Sequence, residues 1–191
     1  MESYSKEWLS LAKAGNHKEA EVFYFDKLLP IVHEKFSEKF QAKLKEDSIL
    51  ISILGYSPEP LILTAKAMSP KKHIICATEH NKNIVNHLNT YLEGEFDLLF
   101  FDNDDFQSIY KKLKEILLMN NDSNVVIDIT GGKKSMVAAA AIFGKDYRCK
   151  IVYVDFDEYI PELRKPMPGT EILNIVYDPI KHQPEVFIEE N

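Results

Sequence analysis

The chain has 191 residues, a hydrophobic share of 45% and a formal net charge of −7 at pH 7. This length predicts one domain with a small appendage and a core large enough for independent stability. The acidic balance argues against a surface that coats DNA or RNA non-specifically, but it is compatible with a small anion in a local basic pocket. No apolar run approaches the roughly 18 residues of a membrane span, and the charged N-terminus does not resemble a signal peptide, so we expect a cytoplasmic protein.

Residues 1–46 are predicted to form a helical N-terminal segment that packs on the main domain or on a partner subunit. Apolar residues recur there at helical spacing. Gly15 and Asn16 mark a break, and Pro30 is expected to kink or split the second helix.

From residue 48 the pattern changes to short apolar runs that alternate with helical segments. The predicted strands are 48–54, 73–77, 96–101, 125–129 and 150–155. This alternation predicts right-handed βαβ units, and therefore an α/β, Rossmann-like domain over residues 47–180 with a mostly parallel sheet and helices on both faces. Two further strands, 156–163 and 171–177, are expected to add a C-terminal β-hairpin or a pair of edge strands, and residues 181–191 are expected to form a polar tail.

The loop after the fourth strand carries the clearest pattern for binding. Ligands bind open parallel sheets beyond the carboxyl ends of the strands, near a topological switch point. Here Thr130, Gly131 and Gly132 are followed by Lys133 and Lys134 and then by a helix of small residues. Glycines let backbone N–H groups approach a ligand closely, and a helix N-terminus beside lysines favours an anion. The alternative is a tight turn whose lysines are solvated.

Two other loops lie at the same predicted edge. Gly55, Tyr56 and Ser57 follow the first strand, and Thr78 and Glu79 follow the second. They offer hydroxyl groups, a carboxylate and backbone donors to a ligand, or they are solvated turn residues. Neither the Walker A pattern nor the dinucleotide fingerprint is present, so no nucleotide cofactor is expected.

The carboxylates at this edge are expected to have structural roles. The acidic run at residues 102–105 resembles a metal-binding cluster, but we expect it to cap the following helix, with Asp104 as the N-cap, and we expect no metal. Asp128 lies inside the fourth strand and needs a partner, for which Lys133, Lys134 and a loop N–H are candidates.

The string Asp128-Ile129-Thr130-Gly131-Gly132-Lys133-Lys134-Ser135-Met136, together with the loop at residues 55–60, resembles the CRISPR-associated Rossmann-fold (CARF) sensor domains. The N-terminal segment also looks like the helical lead-in of one branch of that family, so the resemblance covers most of the chain. It implies a homodimer that binds a cyclic oligoadenylate (cA4 or cA6) across its two-fold axis, as a sensor in type III CRISPR antiviral defence.

The resemblance also implies which residues contact the ring. The implied contacts are Gly55, Tyr56, Ser57, Thr130, Gly131, Gly132, Lys133 and Lys134, with Thr78 and Glu79 beside them and Met136 either structural or against a base. An alternative is a ring nuclease, which would cleave the ring by metal-independent in-line attack of a ribose 2′-hydroxyl, with Lys134, Ser57 and Tyr56 as catalytic candidates. A further alternative is an unrelated Rossmann-like domain that binds another anion or serves as a scaffold.

Members of this family usually carry an effector domain after the sensor. The residues after Tyr177 are too few for such a domain. We therefore expect either a stand-alone sensor or the sensor portion of a longer effector, such as a nuclease, a deaminase or a transcription regulator.

Overall fold

The computed structural model describes residues 2–44, 48–92, 94–120 and 124–182. Its N-terminal segment is helical, as predicted. The elements are α1 (Glu2–Lys13), α2 (His17–Phe23), a π-helical turn (Tyr24–Leu28) and α3 (Leu29–Leu44). Gly15, with a φ of 81°, makes the predicted break between α1 and α2. The π-helical turn ends two residues before Pro30, whose nitrogen cannot donate to the carbonyl four residues earlier, so the expected interruption takes this form.

The rest of the chain alternates between strands and helices. The strands are β1 (Ser48–Ile53), β2 (Lys72–Ala77), β3 (Phe96–Phe100), β4 (Asn124–Asp128), β5 (Lys150–Phe156), β6 (Tyr159–Ile160), β7 (Lys165–Pro166) and β8 (Glu171–Tyr177). The helices are α4 (Glu59–Met68), α5 (Lys82–Tyr91), α6 (Phe106–Leu118), α7 (Lys134–Asp146) and α8 (Pro179–His182). Six strands form one sheet in the order β3-β2-β1-β4-β5-β8, in which the first five run parallel. The predicted Rossmann-like fold class is confirmed.

Both faces of the sheet are buried. On one face Leu50 and Val126 pack with α3 and α4, and on the other Ile51 and Ile127 pack with α6 and α7. Every position of β1 is buried, which explains its continuous apolar run. Aromatic residues of the N-terminal helices, Phe36 among them, join the first of these two clusters. The N-terminal helices therefore share a core with the sheet.

The C-terminal strands pair differently from the predicted hairpin. β8 runs antiparallel to β5 at the edge of the large sheet, while β6 and β7 form a separate two-stranded sheet. The antiparallel addition is confirmed, but most of residues 156–163 are not strand. Ile160 instead packs against Trp8 and Leu28 of the N-terminal helices. In the described part of the chain, no helix has both the length and the apolar character needed to cross a membrane.

The topological switch point lies between β1 and β4. These two strands are parallel neighbours, and Ser52 of β1 pairs with Asp128 of β4. From β1 the chain crosses through α4 to β2, and from β4 it crosses through α7 to β5 on the other side. Connections that leave neighbouring strands in opposite directions open a crevice at their carboxyl ends, which is where such sheets bind ligands.

Candidate functional site

The loops after β1 and β4 meet backbone against backbone at this crevice. A Cβ atom on Gly55 would lie 2.7 Å from the nitrogen of Gly132, and one on Gly131 would lie 2.6 Å from the nitrogen of Gly55. Real Cβ atoms essentially never approach another atom within 3.0 Å, so both positions exclude a side chain. The two predicted loops are therefore in direct contact, with their backbone groups exposed to the same space.

Gly132 has an additional conformational requirement. Its φ is +95°, and a Cβ there would lie 2.6 Å from Cγ2 of Ile53. Residues with a side chain rarely adopt this φ, because the Cβ atom then meets the neighbouring backbone. The second glycine of the pair is therefore needed both for the turn and for packing against β1.

Asp128 and Thr130 fix the start of the β4 loop. The buried Asp128 Oδ1 accepts hydrogen bonds from the Thr130 nitrogen (2.9 Å) and hydroxyl (2.5 Å), and that hydroxyl accepts one from the Val154 nitrogen (2.8 Å). Burial raises the pKa of the Asp128 carboxyl, and the bonds from Thr130 oppose this rise. The expected loop N–H partner of Asp128 is confirmed, whereas neither lysine bonds to it. Because the Thr130 hydroxyl is engaged within the chain, its ligand contact stays a prediction, and its observed role is to shape the loop.

Asn81, which the sequence argument missed, joins the β2 loop to the β1 loop. Its Oδ1 accepts from the Thr78 nitrogen (3.2 Å) and hydroxyl (2.7 Å), while its Nδ2 donates to the Gly55 carbonyl (3.1 Å). An Asn that bonds back to a residue three positions earlier is a common turn device, and the Thr78-to-Asn81 spacing was its only signal. The predicted Glu79 lies exposed on the 3₁₀ turn Glu79–Asn81.

A shallow pocket of about 120 Å³ opens between these loops. Its lining residues are Leu54, Gly55, Tyr56, Thr78, Asn81, Gly132, Lys133 and Met136. Met136 is 1% exposed, and its sulfur accepts from the Lys133 nitrogen at 3.5 Å, so it forms the floor. Six predicted site residues thus come together here, while Ser57, Glu79, Thr130, Gly131 and Lys134 lie outside the lining.

The exposed groups around the pocket are mainly hydroxyl groups and lysines. Tyr56 is 75% exposed, and Ser57 and Lys134 are exposed beside it. Lys134 has no hydrogen-bond or ion-pair partner within the residues described here. Lys133 is the N-cap of α7 and has no acceptor atom in its side chain, so it cannot cap the first N–H groups of the helix. This end of α7 therefore presents unpaired donors and positive charge.

The acidic loop between β3 and α6 differs from its prediction by one residue. Asp105, not Asp104, is the N-cap of α6, and its Oδ1 accepts from the Ser108 nitrogen at 2.9 Å. Asp104 forms an ion pair with the ammonium of Lys133. Their hydrogen bond lowers the pKa of Asp104 and raises that of Lys133. Over the described ranges, no group of three or more His, Cys, Asp or Glu side chains is arranged to hold a metal.

A larger cavity, of about 660 Å³, lies at the opposite edge of the sheet. It lies where α4 and α5 end and β2 and β3 begin, and its lining includes His33, Lys66, Lys71, His73 and Glu95. Open parallel sheets bind their ligands beyond the carboxyl ends of the strands, which is the other end of this sheet. The smaller pocket at the switch point is therefore the better candidate for the ligand.

Comparisons with known proteins show what this chain is similar to. No protein-family model matches the chain. The CRISPR system endoribonuclease Csm6 of Thermus thermophilus is 27% identical over 181 residues, which are 91% of this chain and 39% of Csm6. The resemblance to the CARF family is confirmed.

A solved structure shows the same fold. Can2 from Sulfobacillus thermosulfidooxidans, determined in complex with cyclic tetra-adenylate, aligns with a TM-score of 0.52 and 19% identity over 65% of this chain and 34% of Can2. The chain spans about two fifths of the length of Csm6 and one third of the length of Can2. At this identity the likeness to Can2 establishes the fold alone.

Proposed function

We propose that this chain is a homodimeric sensor that binds a cyclic oligoadenylate, cA4 or cA6, in type III CRISPR antiviral defence. The observation that carries the proposal is the contact of Gly55 with Gly131 and Gly132 at the switch point, beside the N-terminus of a lysine-bearing helix. The same loops belong to a chain related to Csm6 along 91% of its length.

The ring phosphates are the groups that α7 would hold. Lys133 and Lys134 supply two cations, and the first N–H groups of α7 supply donors that point towards an anion. A two-fold axis through the ring doubles this set, so four lysines would surround one ligand. An acidic chain can provide this local charge because only the residues near the phosphates matter at physiological ionic strength.

The riboses and bases would meet the other loops. Gly55, Gly131 and Gly132 let the ring approach the backbone, because no side chain intervenes. The exposed Tyr56 and Ser57 offer a ring face and hydroxyl groups. Thr78 lines the pocket with its hydroxyl bonded to Asn81, Glu79 lies at the rim, and Met136 forms the floor.

The size of the pocket supports a dimer. Pockets that enclose a ligand usually measure about 300–1,000 Å³. The pocket of one chain measures about 120 Å³, which is too small to enclose an oligonucleotide ring. A second copy facing the first across the ring would complete the site.

Direct binding tests this proposal. The full chain is incubated with cyclic tetra-adenylate and, separately, with cyclic hexa-adenylate, and is then passed over a size-exclusion column. We expect one of the two rings to elute with the protein and the other to be retained less. If neither ring elutes with the protein, the proposal fails.

Replacing Lys134 with Ala tests the placement of the phosphates. We expect Lys134→Ala to weaken ring binding about tenfold or more, the effect of a lost charge-assisted hydrogen bond. Lys145→Ala is the matched control, because Lys145 is an exposed lysine in the last turn of the same helix. Isothermal titration gives both affinities, and equal effects of the two substitutions would contradict our placement of the site.

The second candidate function, ring cleavage, is favoured by the closeness of Tyr56 and Lys133. Both line the pocket, so a phenol and an ammonium would lie near the same phosphate of a bound ring. In this reaction the ribose 2′-oxygen attacks the adjacent phosphorus and the 5′-oxygen leaves with the proton. The products are a 2′,3′-cyclic phosphate and a 5′-hydroxyl, and the protein contributes positioning and charge. Chromatography of the recovered ligand distinguishes the two functions, since a sensor returns the intact ring.

The proposal is confined to the ring. The endoribonuclease activity in the name of Csm6 belongs to a protein of which this chain covers 39%. A sensor of this kind would pass its signal to an effector domain or protein, whose identity lies outside our proposal.

A further inference from the structure

Asp104 and Lys133 connect two loops of the candidate site. Asp104 lies in the loop between β3 and α6, and Lys133 lies at the start of α7. Their side chains form an ion pair in which Lys133 is 48% exposed and Asp104 is 43% exposed. Asp104 is not needed as a helix cap, because Asp105 has that role.

The carboxylate of Asp104 has the charge and the position of a phosphate ligand. A carboxylate and a phosphodiester each carry one negative charge at neutral pH and each accept hydrogen bonds from an ammonium. Lys133 lines the pocket between the glycine loops, so a ligand phosphate there would meet a lysine that already has an anionic partner.

We propose that Asp104 is a built-in competitor: its carboxylate holds the position on Lys133 that a ring phosphate takes, so the ring must displace it. This inference rests on the proposed function. It makes Asp104 a positioning residue that lowers affinity by acting through Lys133. The hydrogen bond with Lys133, and more weakly the charge of His80, lower the pKa of Asp104, so the competitor stays ionised.

The exposure of the pair makes the displacement feasible. Ion pairs exposed to this extent contribute little, because water screens the charges and the long lysine side chain must be immobilised. Removing the competitor should therefore tighten binding by about two- to fivefold for each protomer that contacts the ring. Lys134, which has no partner over the described ranges, binds its phosphate without such competition.

The first experiment compares Asp104→Asn with a matched control. Asp97 forms an ion pair with Lys72 at 2.9 Å, with side-chain exposures of 55% and 43%, at the start of β2 and β3 and away from the site. Asp97→Asn therefore changes the net charge equally without freeing Lys133. By titration of the full chain with cyclic tetra- and hexa-adenylate, we expect Asp104→Asn to bind more tightly and Asp97→Asn to match the wild type.

A double substitution tests whether Asp104 acts through Lys133. In a Lys133→Met background, Asp104→Asn should change the affinity by less than about 1.5-fold if its effect is to occupy Lys133. A gain that persists without Lys133 would overturn the proposal and indicate direct repulsion between Asp104 and the ring. Asp104→Glu keeps the charge and should bind the ring as the wild type does.

Salt provides an additional readout that a merely structural role would not change. When Asp104 is present, the ring exchanges one anion for another on Lys133, whereas in Asp104→Asn it displaces solution ions. The affinity of Asp104→Asn should therefore fall more steeply with added NaCl than that of the wild type. If the wild type binds a ring and Asp104→Asn does not bind it more tightly, only this inference fails. If neither protein binds, the proposed function fails as well.

Discussion

Adding a Cβ atom at Gly55, Gly131 or Gly132 would disrupt the close packing of the two loops at the switch point. The reasons differ among the three positions. A Cβ on Gly55 or Gly131 would collide with backbone atoms of the opposite loop, so the two loops would have to move apart. A Cβ on Gly132 would meet the end of the Ile53 side chain and would also impose an unfavourable φ. The Gly-Gly pair is thus required by the fold before any ligand is considered.

A comparison of two glycines separates these two costs. Gly132 and Gly94 have φ values of +95° and +92°, but a Cβ on Gly94 would meet no atom within 4 Å. We expect Gly94→Ala to lower the free energy of unfolding by about 1–2 kcal/mol, the cost of the left-handed conformation. Gly132→Ala should lower it by about 2–5 kcal/mol, because crowding against Ile53 adds to that cost.

Urea denaturation of both variants measures this difference, and ring titration adds a functional readout. Gly94→Ala should bind the ring normally, since it lies at the other edge of the sheet. Equal losses of stability in the two variants would show that Ile53 moves aside freely, and that the tight packing of the two loops is not a constraint.

Thr130 and Asp128 show how a motif residue can shape the loop that carries it. The hydroxyl of Thr130 lies between the Asp128 carboxylate and the Val154 nitrogen, so it ties the β4 loop to β5. The resemblance to the CARF family implies that Thr130 contacts the ligand. The hydrogen bonds of its hydroxyl indicate that it supports the loop that would contact the ligand. We therefore expect the direct phosphate contacts to come from Lys133, Lys134 and the backbone.

At the scale of elements, the sequence predicts the positions of strands more reliably than it predicts helix N-caps or which strands pair. β1, β2 and β4 are buried apolar runs, so their positions follow from composition alone. The N-cap of α6 falls on Asp105 and not on Asp104, because two adjacent carboxylates are equally suited to cap and only the loop geometry decides. The antiparallel pairing of β8 with β5 also depends on long-range packing that no local pattern encodes.

In the candidate site too, residues recognisable by type were predicted, and residues that act through long-range contacts were missed. Its glycines and lysines were predicted, since their conformational and charge requirements appear in the residue types. Asn81 was missed because its importance depends on a bond to the Gly55 carbonyl, 26 positions earlier in the chain. The Lys133–Asp104 pair was missed for the same reason, since the two residues are 29 positions apart.

Asn81 should therefore matter to the β1 loop and the β2 loop at once. Asn81→Ala removes the acceptor of the Thr78 nitrogen and hydroxyl and the donor to the Gly55 carbonyl. Buried polar groups left without partners cost about 1–3 kcal/mol each, so we expect a loss of about 2–4 kcal/mol in the free energy of unfolding and a several-fold loss of ring affinity.

Asn120→Ala is the control for this change. Within the described residues, Asn120 donates one side-chain bond, to the Ile116 carbonyl at 2.7 Å, just after the end of α6. Its loss should cost about 1 kcal/mol and leave ring binding unchanged. If Asn81→Ala and Asn120→Ala have the same free energy of unfolding and the same ring affinity, then Asn81 does not hold the β1 loop in its binding position.

At the scale of the whole molecule, the open site predicts how many rings each chain binds. One chain offers a shallow pocket of about 120 Å³ with Lys133 in its lining, and the exposed Lys134 follows it in the chain. A ring with repeated phosphates can present the same face to a second copy, and an isologous two-fold pair closes the site without leaving further binding surfaces. We expect titration to give about 0.5 ring per chain, and light scattering to give the mass of two chains for the complex.

Adenosine monophosphate is the matching control ligand, because it has one phosphate and cannot bridge two chains. It should bind weakly, at about one molecule per chain, and it should not change the measured mass. A ring that binds at one per chain to a monomer would overturn the two-fold arrangement while leaving the phosphate contacts in place. A mixed dimer of wild-type and Lys134→Ala chains should bind the ring with intermediate affinity, because each chain supplies its own half of the charge.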